Sequence, residues 1–207
     1  MDTKRLAIGE REDFAAFLDT LAPEQWREPS LCTGWSVRDV VAHVISYDEL
    51  GGRALLSRFA RGRFTLGGVN GVGTAEYTVR EPRELIELLR RFREPRGLTA
   101  AFGSRIALLD ALIHQQDIRR PLGLPRQIPE PRLRAALGFA RIAPPIGAFW
   151  RARGLRLVAT DVGWSAGRGP ELRGPGEALL MAIAGRGHAV GELDGPGRDV
   201  LAGRLGV

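Results

Sequence analysis

The sequence predicts an α+β protein, mainly α, with a helical bundle over residues 1–150 and a small α+β domain over 151–207. Three observations predict it. Apolar residues recur at 3/4 spacing in successive segments up to about Ala143. The character changes after Trp150, where Leu155-Arg-Leu-Val-Ala-Thr160 alternates for part of its length and is β-rich. No internal repeat is visible, and no apolar run approaches the roughly 18 residues of a membrane span.

In chain order, residues 12–21 place Phe14, Phe17, Leu18 and Leu21 on one helical face, and Pro23 punctuates the segment. Ser36 is a good N-cap, with Asp39 three residues on as an acidic variant of the capping box. The helix it starts is expected to run to about Arg61, with Val37, Val40, Val41, Val44 and Ile45 as its apolar stripe and His43 on the flank. Residues 67–73 read as a glycine-rich loop. It lacks a Gly-Lys-Ser/Thr ending and follows no strand, which argues against phosphate binding. Short helices are expected over 83–93 and 129–143, and a longer one over 100–119 that Pro121 and Gly123 end. Beyond Trp150, strands are expected at 155–160, within 161–167 and at 171–174. Helices follow at 176–186 and 200–205. This tail is small for an independently folding unit.

The chain has 30 basic and 24 acidic residues, a net charge of +6. Lys4 is the only lysine, and the chain also holds 27 Gly and 13 Pro, a bias that GC-rich codons explain. The arginines are interleaved with acids, as in Arg80-Glu-Pro-Arg-Glu84, and form no compact basic patch with aromatics. No nucleic-acid partner and no membrane association are therefore expected. The arginines suit anionic small molecules instead. No apolar core follows Met-Asp-Thr-Lys-Arg, so a cytoplasmic location is the expectation. The single cysteine, Cys32, excludes an intramolecular disulfide and a cysteine-based zinc finger.

The stretch Asp110-Ala-Leu-Ile-His114-Gln-Gln-Asp117 carries the most chemistry. Residues four apart on a helix lie about 40° apart around its axis and one turn along it, so Asp110 and His114 can reach one point. His43, one of only three histidines, lies in another helical segment. His43, Asp110 and His114 thus make a candidate three-ligand site for zinc or another first-row divalent ion, with positions open for water or substrate. The same spacing also suits an ordinary salt-bridged helix face. Asp117 fits either a group orienting a ligand or a surface partner of Arg119 or Arg120. Cys32, beside Leu31 at a helix entry, reads as a small packed hydrophobe rather than a nucleophile. Arg186, in the turn Gly185-Arg-Gly-His188, fits a carboxylate-binding guanidinium or a helix C-terminal charge. His188 reads as solvent-exposed, and Trp26, Trp35, Trp150 and Trp164 as anchors of the core or of a domain interface.

Leu31-Cys-Thr-Gly-Trp-Ser-Val-Arg-Asp-Val-Val-Ala-His43 resembles the first signature of the mycothiol-dependent maleylpyruvate isomerase family, a branch of the DinB-like superfamily. Leu112-Ile-His-Gln-Gln-Asp-Ile-Arg-Arg-Pro-Leu-Gly123 resembles its second. Ala159-Thr-Asp-Val-Gly-Trp-Ser-Ala-Gly167 and Gly174-Pro-Gly-Glu-Ala-Leu-Leu180 resemble its small sterol-carrier-like C-terminal domain. The resemblance implies a DinB-like four-helix bundle holding a divalent metal, usually zinc, through positions matching His43, Asp110 and His114. The family usually has Glu where this chain has Asp110, one methylene shorter. That leaves open how tightly the metal is held, whether through water, and which ion it is. A family arginine near the C-terminus acts in catalysis, and Arg186 matches it by position. The implied cofactors are the metal and mycothiol. The implied partners are that small-molecule thiol and an electrophilic substrate, for cis–trans isomerisation or S-transfer, in a monomer or homodimer. The competing readings are a non-catalytic carrier of an apolar ligand and a metal-binding paralogue without activity.

Overall fold

The computed structural model describes residues 2–143 and 146–207. It divides into two compact units, 1–126 and 127–207, with the division well ahead of the change in composition near Trp150. No helix among the described residues is long and apolar enough to cross a membrane.

The first unit is a helical bundle. Helix α1 (Thr3–Leu18) starts at Asp2, whose side chain accepts from the Lys4 amide, and buries Phe14, Phe17 and Leu18. Helix α2 (Val37–Ile45) is the bundle's inner helix. Its capping box forms as the sequence predicts: Ser36 Oγ accepts from the Asp39 amide at 3.3 Å, and Asp39 Oδ2 accepts from the Ser36 amide at 2.9 Å. Burial pushes the Asp39 pKa up, but hydrogen bonds from Thr78 and Ser36 outweigh it and hold the carboxyl below its ordinary value. A carboxyl with a lowered folded-state pKa stabilises the fold above its unfolded pKa, and that stability is lost as pH falls through the folded value. Asp39→Ala is therefore expected to cost about 1 kcal/mol at neutral pH. The difference from wild type should shrink toward zero at about pH 2, as urea unfolding at both pH values would reveal.

The expected helix to Arg61 is in fact two helices, α2 and α3 (Gly52–Arg61). Ser46 Oγ turns back to donate to the His43 carbonyl at 2.9 Å. Two residues on, the Asp48 carboxylate is drawn into the interior by Arg11 of α1. Both side chains are fully buried and their Nη1–Oδ1 separation is 3.0 Å. Thr99 Oγ1 also donates to Asp48 Oδ1 at 2.6 Å, and Arg11 Nη1 donates to the Phe92 carbonyl at 2.6 Å. A chain pulled inward at Asp48 cannot continue the α2 axis, and the Gly51-Gly52 pair then restarts a helix.

The expected glycine loop at 67–73 is also corrected: it lies within helix α4 (Leu66–Thr78), capped by Thr65. The glycines permit close packing. A Cβ on Gly68 would sit 2.2 Å from the Gly62 carbonyl oxygen, and one on Gly73 2.8 Å from Ser46 Oγ. Helix α5 (Pro82–Arg91) and helix α6 (Ala101–Arg119) complete the unit. The first turn of α6 is irregular, with Phe102, Gly103 and Ser104 left-handed, so regular helix begins after it. Helix α2 packs on α4, α5 and α6, and α1 packs on α5 and α6. Phe14, Val40, Val44, Leu85, Leu89 and Ile118 fill the core between them.

The second unit starts with helix α7 (Glu130–Ala140) and the short α8 (Ala148–Ala152). Strands β1 (Arg156–Ala159), β2 (Trp164–Gly167) and β3 (Glu171–Gly174) follow. They form one sheet in the order β2-β1-β3, antiparallel between β1 and β2 and parallel between β1 and β3. Gly167 closes β2 at φ +87°, where a Cβ would lie 2.1 Å from the Leu155 carbonyl oxygen, so a side chain is excluded there. Helix α9 (Gly176–Ile183) packs on the sheet and on α7, its N-terminal Gly176 amide donating to Asp161 Oδ1 at 2.8 Å. Helix α10 (Gly197–Leu205) packs on β3 and α8.

Candidate metal centre

Helices α2 and α6 pack directly, and their contact brings together the three residues singled out by spacing. His43 comes from the last turn of α2, Asp110 and His114 from successive turns of α6. Asp110 Oδ1 lies 3.6 Å from His43 Nε2 and 3.5 Å from His114 Nε2, and one donor atom from each residue falls within 4.8 Å of the others. The two imidazole rings meet edge to face with centroids 4.9 Å apart.

These separations suit a metal better than direct hydrogen bonds. Two donors on one tetrahedral zinc, each about 2.0–2.1 Å from it, stand roughly 3.3 Å apart. N–H···O hydrogen bonds are shorter, with the donor and acceptor about 2.7–3.2 Å apart. A second cluster, Cys32, His114 and Asp117, shows the contrast. Asp117 Oδ2 is 2.9 Å from His114 Nδ1 and 3.2 Å from Cys32 Sγ, distances at which these groups hydrogen-bond directly. Two imidazoles and a carboxylate are also a donor set that zinc and other first-row ions accept. The residues present therefore fit a divalent ion.

The electrostatics agree in part. Burial lowers the His43 pKa despite Asp110, which keeps the ring neutral at neutral pH. Burial works to raise that of Asp110, but His114, His43 and Arg11 bring it below the ordinary value, so the carboxylate is ionised. For His114, burial is overcome by Asp110, Asp117 and Cys32, and its pKa is pushed up to about 10. Without an ion, His114 is an imidazolium between two carboxylates, and a metal has to displace that proton.

Aromatic rings flank His43. Trp35 lies tilted against it at 5.1 Å and Tyr47, one turn on, stands edge-on at 6.0 Å. Tyr47 donates its hydroxyl to Asn70 Oδ1 at 2.5 Å, and burial raises its pKa to about 12, so it stays a neutral phenol. His43 Nδ1 is buried and has no hydrogen-bond partner among the described residues. Tyr47 was not singled out by sequence, although its i+4 spacing from His43 was the available signal.

Of the two readings for Asp117, a surface salt bridge is excluded, because its side chain is fully buried against His114. Cys32 packs against the core and also donates its thiol to Asp117. Arg186 lies in the second unit, half-buried, with Nη1 donating to the Ala184 carbonyl at 3.0 Å. His188 is exposed as expected. Trp26 is buried in the core, whereas Trp150 is 67% exposed, edge-on to Phe149, and is no core anchor.

Fold and donor set together define a helical bundle with a two-histidine, one-carboxylate cluster. Residues 9–102 match the mycothiol maleylpyruvate isomerase N-terminal domain. The matched stretch includes His43 and stops short of Asp110 and His114. Two solved structures share the fold: a mycothiol-dependent maleylpyruvate isomerase at 18% identity, and a histidine-to-alanine mutant of such an isomerase at 17%. Each alignment has a TM-score of 0.59 and covers 93% of this chain and 91% of the other. No curated protein matches the sequence.

Proposed function

We propose that this chain is a divalent-metal-dependent enzyme using mycothiol, and that it isomerises a cis-conjugated substrate of the maleylpyruvate type. The observation that carries the reading is the convergence of His43, Asp110 and His114 from two packed helices, with Asp110 Oδ1 within 3.6 Å of both imidazole nitrogens. The matched domain and the shared fold support the choice of thiol and substrate. His43 Nε2, Asp110 Oδ1 and His114 Nε2 would hold the ion, zinc by donor chemistry. When bound, such an ion stabilises a coordinated thiol as the thiolate, the nucleophilic form.

In the reaction the thiol sulfur adds to one carbon of the conjugated cis double bond. The remaining single bond rotates, and elimination restores the double bond as trans and releases the thiol unchanged. The chain's part is to position and to shield. The Trp35 and Tyr47 rings cover the His43 side, and the neutral Tyr47 hydroxyl does not compete as a charged ligand. The role the resemblance gives to Arg186, binding a substrate carboxylate, belongs to this reading on guanidinium chemistry.

Purified protein is expected to carry about one divalent ion per chain and to lose it in His43→Ala. Mycothiol at 100 times its dissociation constant should stabilise the loaded protein by about 2.7 kcal/mol in a thermal shift. Maleylpyruvate should then convert to its trans isomer only when thiol is added. Thiol consumed in proportion to product would show S-transfer instead. Protein with neither metal nor thiol response would overturn the proposal.

A further inference from the structure

Asp117 is a carboxylate with no exposed surface, and it faces protein groups rather than solvent. Its Oδ2 lies 2.9 Å from His114 Nδ1 and 3.2 Å from Cys32 Sγ. A carboxylate only accepts, so His114 Nδ1 carries the hydrogen and the thiol points its proton at the same oxygen. This fixes the ring with Nε2 toward Asp110.

Cys32 is itself held. Its amide donates to Ser30 Oγ at 3.1 Å, and Ser30 Oγ donates to the Trp35 carbonyl at 2.8 Å. The neighbouring Leu31 amide donates to the Asp117 carbonyl at 3.0 Å, so the turn before α2 is bonded to α6 through both backbone and side chain. That turn leads directly into the helix bearing His43. We propose that Asp117 and Cys32 are positioning residues that set the tautomer and orientation of His114, with the Cys32 thiol as hydrogen-bond donor and not as a metal ligand. The inference rests on the metal reading above and deepens it.

A buried carboxylate behind a metal-bound imidazole raises its basicity, and losing such a partner costs about 10–100-fold in metal affinity. The thiol is a weak donor and its loss is expected to cost less.

The test titrates the full chain with cobalt(II), following the visible spectrum, with folding checked by circular dichroism. Wild type should bind one equivalent without a thiolate-to-cobalt charge-transfer band. Asp117→Asn should bind about 10–100-fold more weakly with a shifted d–d spectrum. Cys32→Ala should bind several-fold more weakly at unchanged stoichiometry, and Cys32→Ser, whose hydroxyl can still donate to Asp117, should recover most of the loss. A merely structural residue would change the melting temperature without moving the d–d bands. A charge-transfer band in wild type that disappears in Cys32→Ala would overturn the proposal in favour of ligation. Equal affinities across all four proteins would overturn it as well. Should Asp117→Asn not fold, the Cys32 pair carries the test alone. Wild type that binds no cobalt would overturn the metal reading itself and this inference with it, a result distinct from equal binding.

Discussion

Asp110→Ala is expected to weaken zinc binding by at least about 100-fold, beyond the range seen when a residue merely supporting a ligand is lost. The carboxylate stands between both imidazoles, so its loss leaves two neutral donors and removes the negative charge that favours a cation. Asp110→Glu, which keeps the carboxylate on a chain one methylene longer, should keep the site. Competition with a chromophoric chelator measures both. The same titration carries a pH signature. His114 holds its proton up to about pH 10 in the metal-free chain, because Asp110 and Asp117 outweigh its burial. Every ion bound below that value must expel the proton, so affinity should rise with pH by up to about tenfold per unit. The sign is opposite for the metal-free fold. A histidine with a raised folded pKa stabilises it fully below the unfolded value, and that stability is lost as pH rises through the folded one. In Asp110→Ala the pH dependence of binding should flatten, since the first of the groups that raise the His114 pKa is gone. Affinity independent of pH in wild type would contradict the assignment.

Arg11→Ala is expected to lower stability by about 3–5 kcal/mol, the range for removing one partner of a buried ion pair. The variant would leave Asp48 fully buried with the Thr99 hydroxyl and the Arg96 amide as its remaining donors among the described residues. It would also strip the Phe92 carbonyl of its donor. The double variant Arg11→Met, Asp48→Leu should recover most of the loss, because apolar groups of similar volume need no partner. The pH dependence has a definite sign. Burial raises the Asp48 pKa even with Arg11 present. A raised carboxyl pKa means that stability is lost as pH rises through the folded value, and without the guanidinium that loss is larger. Urea unfolding should therefore find Arg11→Ala closest to wild type in acid.

Much of the site was legible because it is local. Asp110 and His114 are four apart on one helix, and the Ser36–Asp39 cap is written in four consecutive residues. His43 joined them as one of only three histidines, lying in another helical segment, and the fold sets it beside Asp110. The missing parts depend on residues far away in sequence. Nothing near Ser46 announces that α2 ends there, since the cause is Arg11, 37 residues before Asp48. The run 67–73 looks like a loop because glycine disfavours helices, yet its use is to let backbone approach Gly62 and Ser46. The thiol of Cys32 was readable only as a small apolar group until Asp117, 85 residues on, was placed beside it.

The two imidazoles differ in a way that bears on exchange kinetics. His114 is braced from behind by Asp117, whereas the rear nitrogen of His43 is buried with no acceptor among the described residues. A braced imidazole is the stronger base and is held in a single pose. An ion leaving this cluster would part first from His43 and remain tethered to α6 by Asp110 and His114. On the proposed metal reading, the two α6 residues would be the anchor and the α2 histidine the latch that sets how long an ion resides.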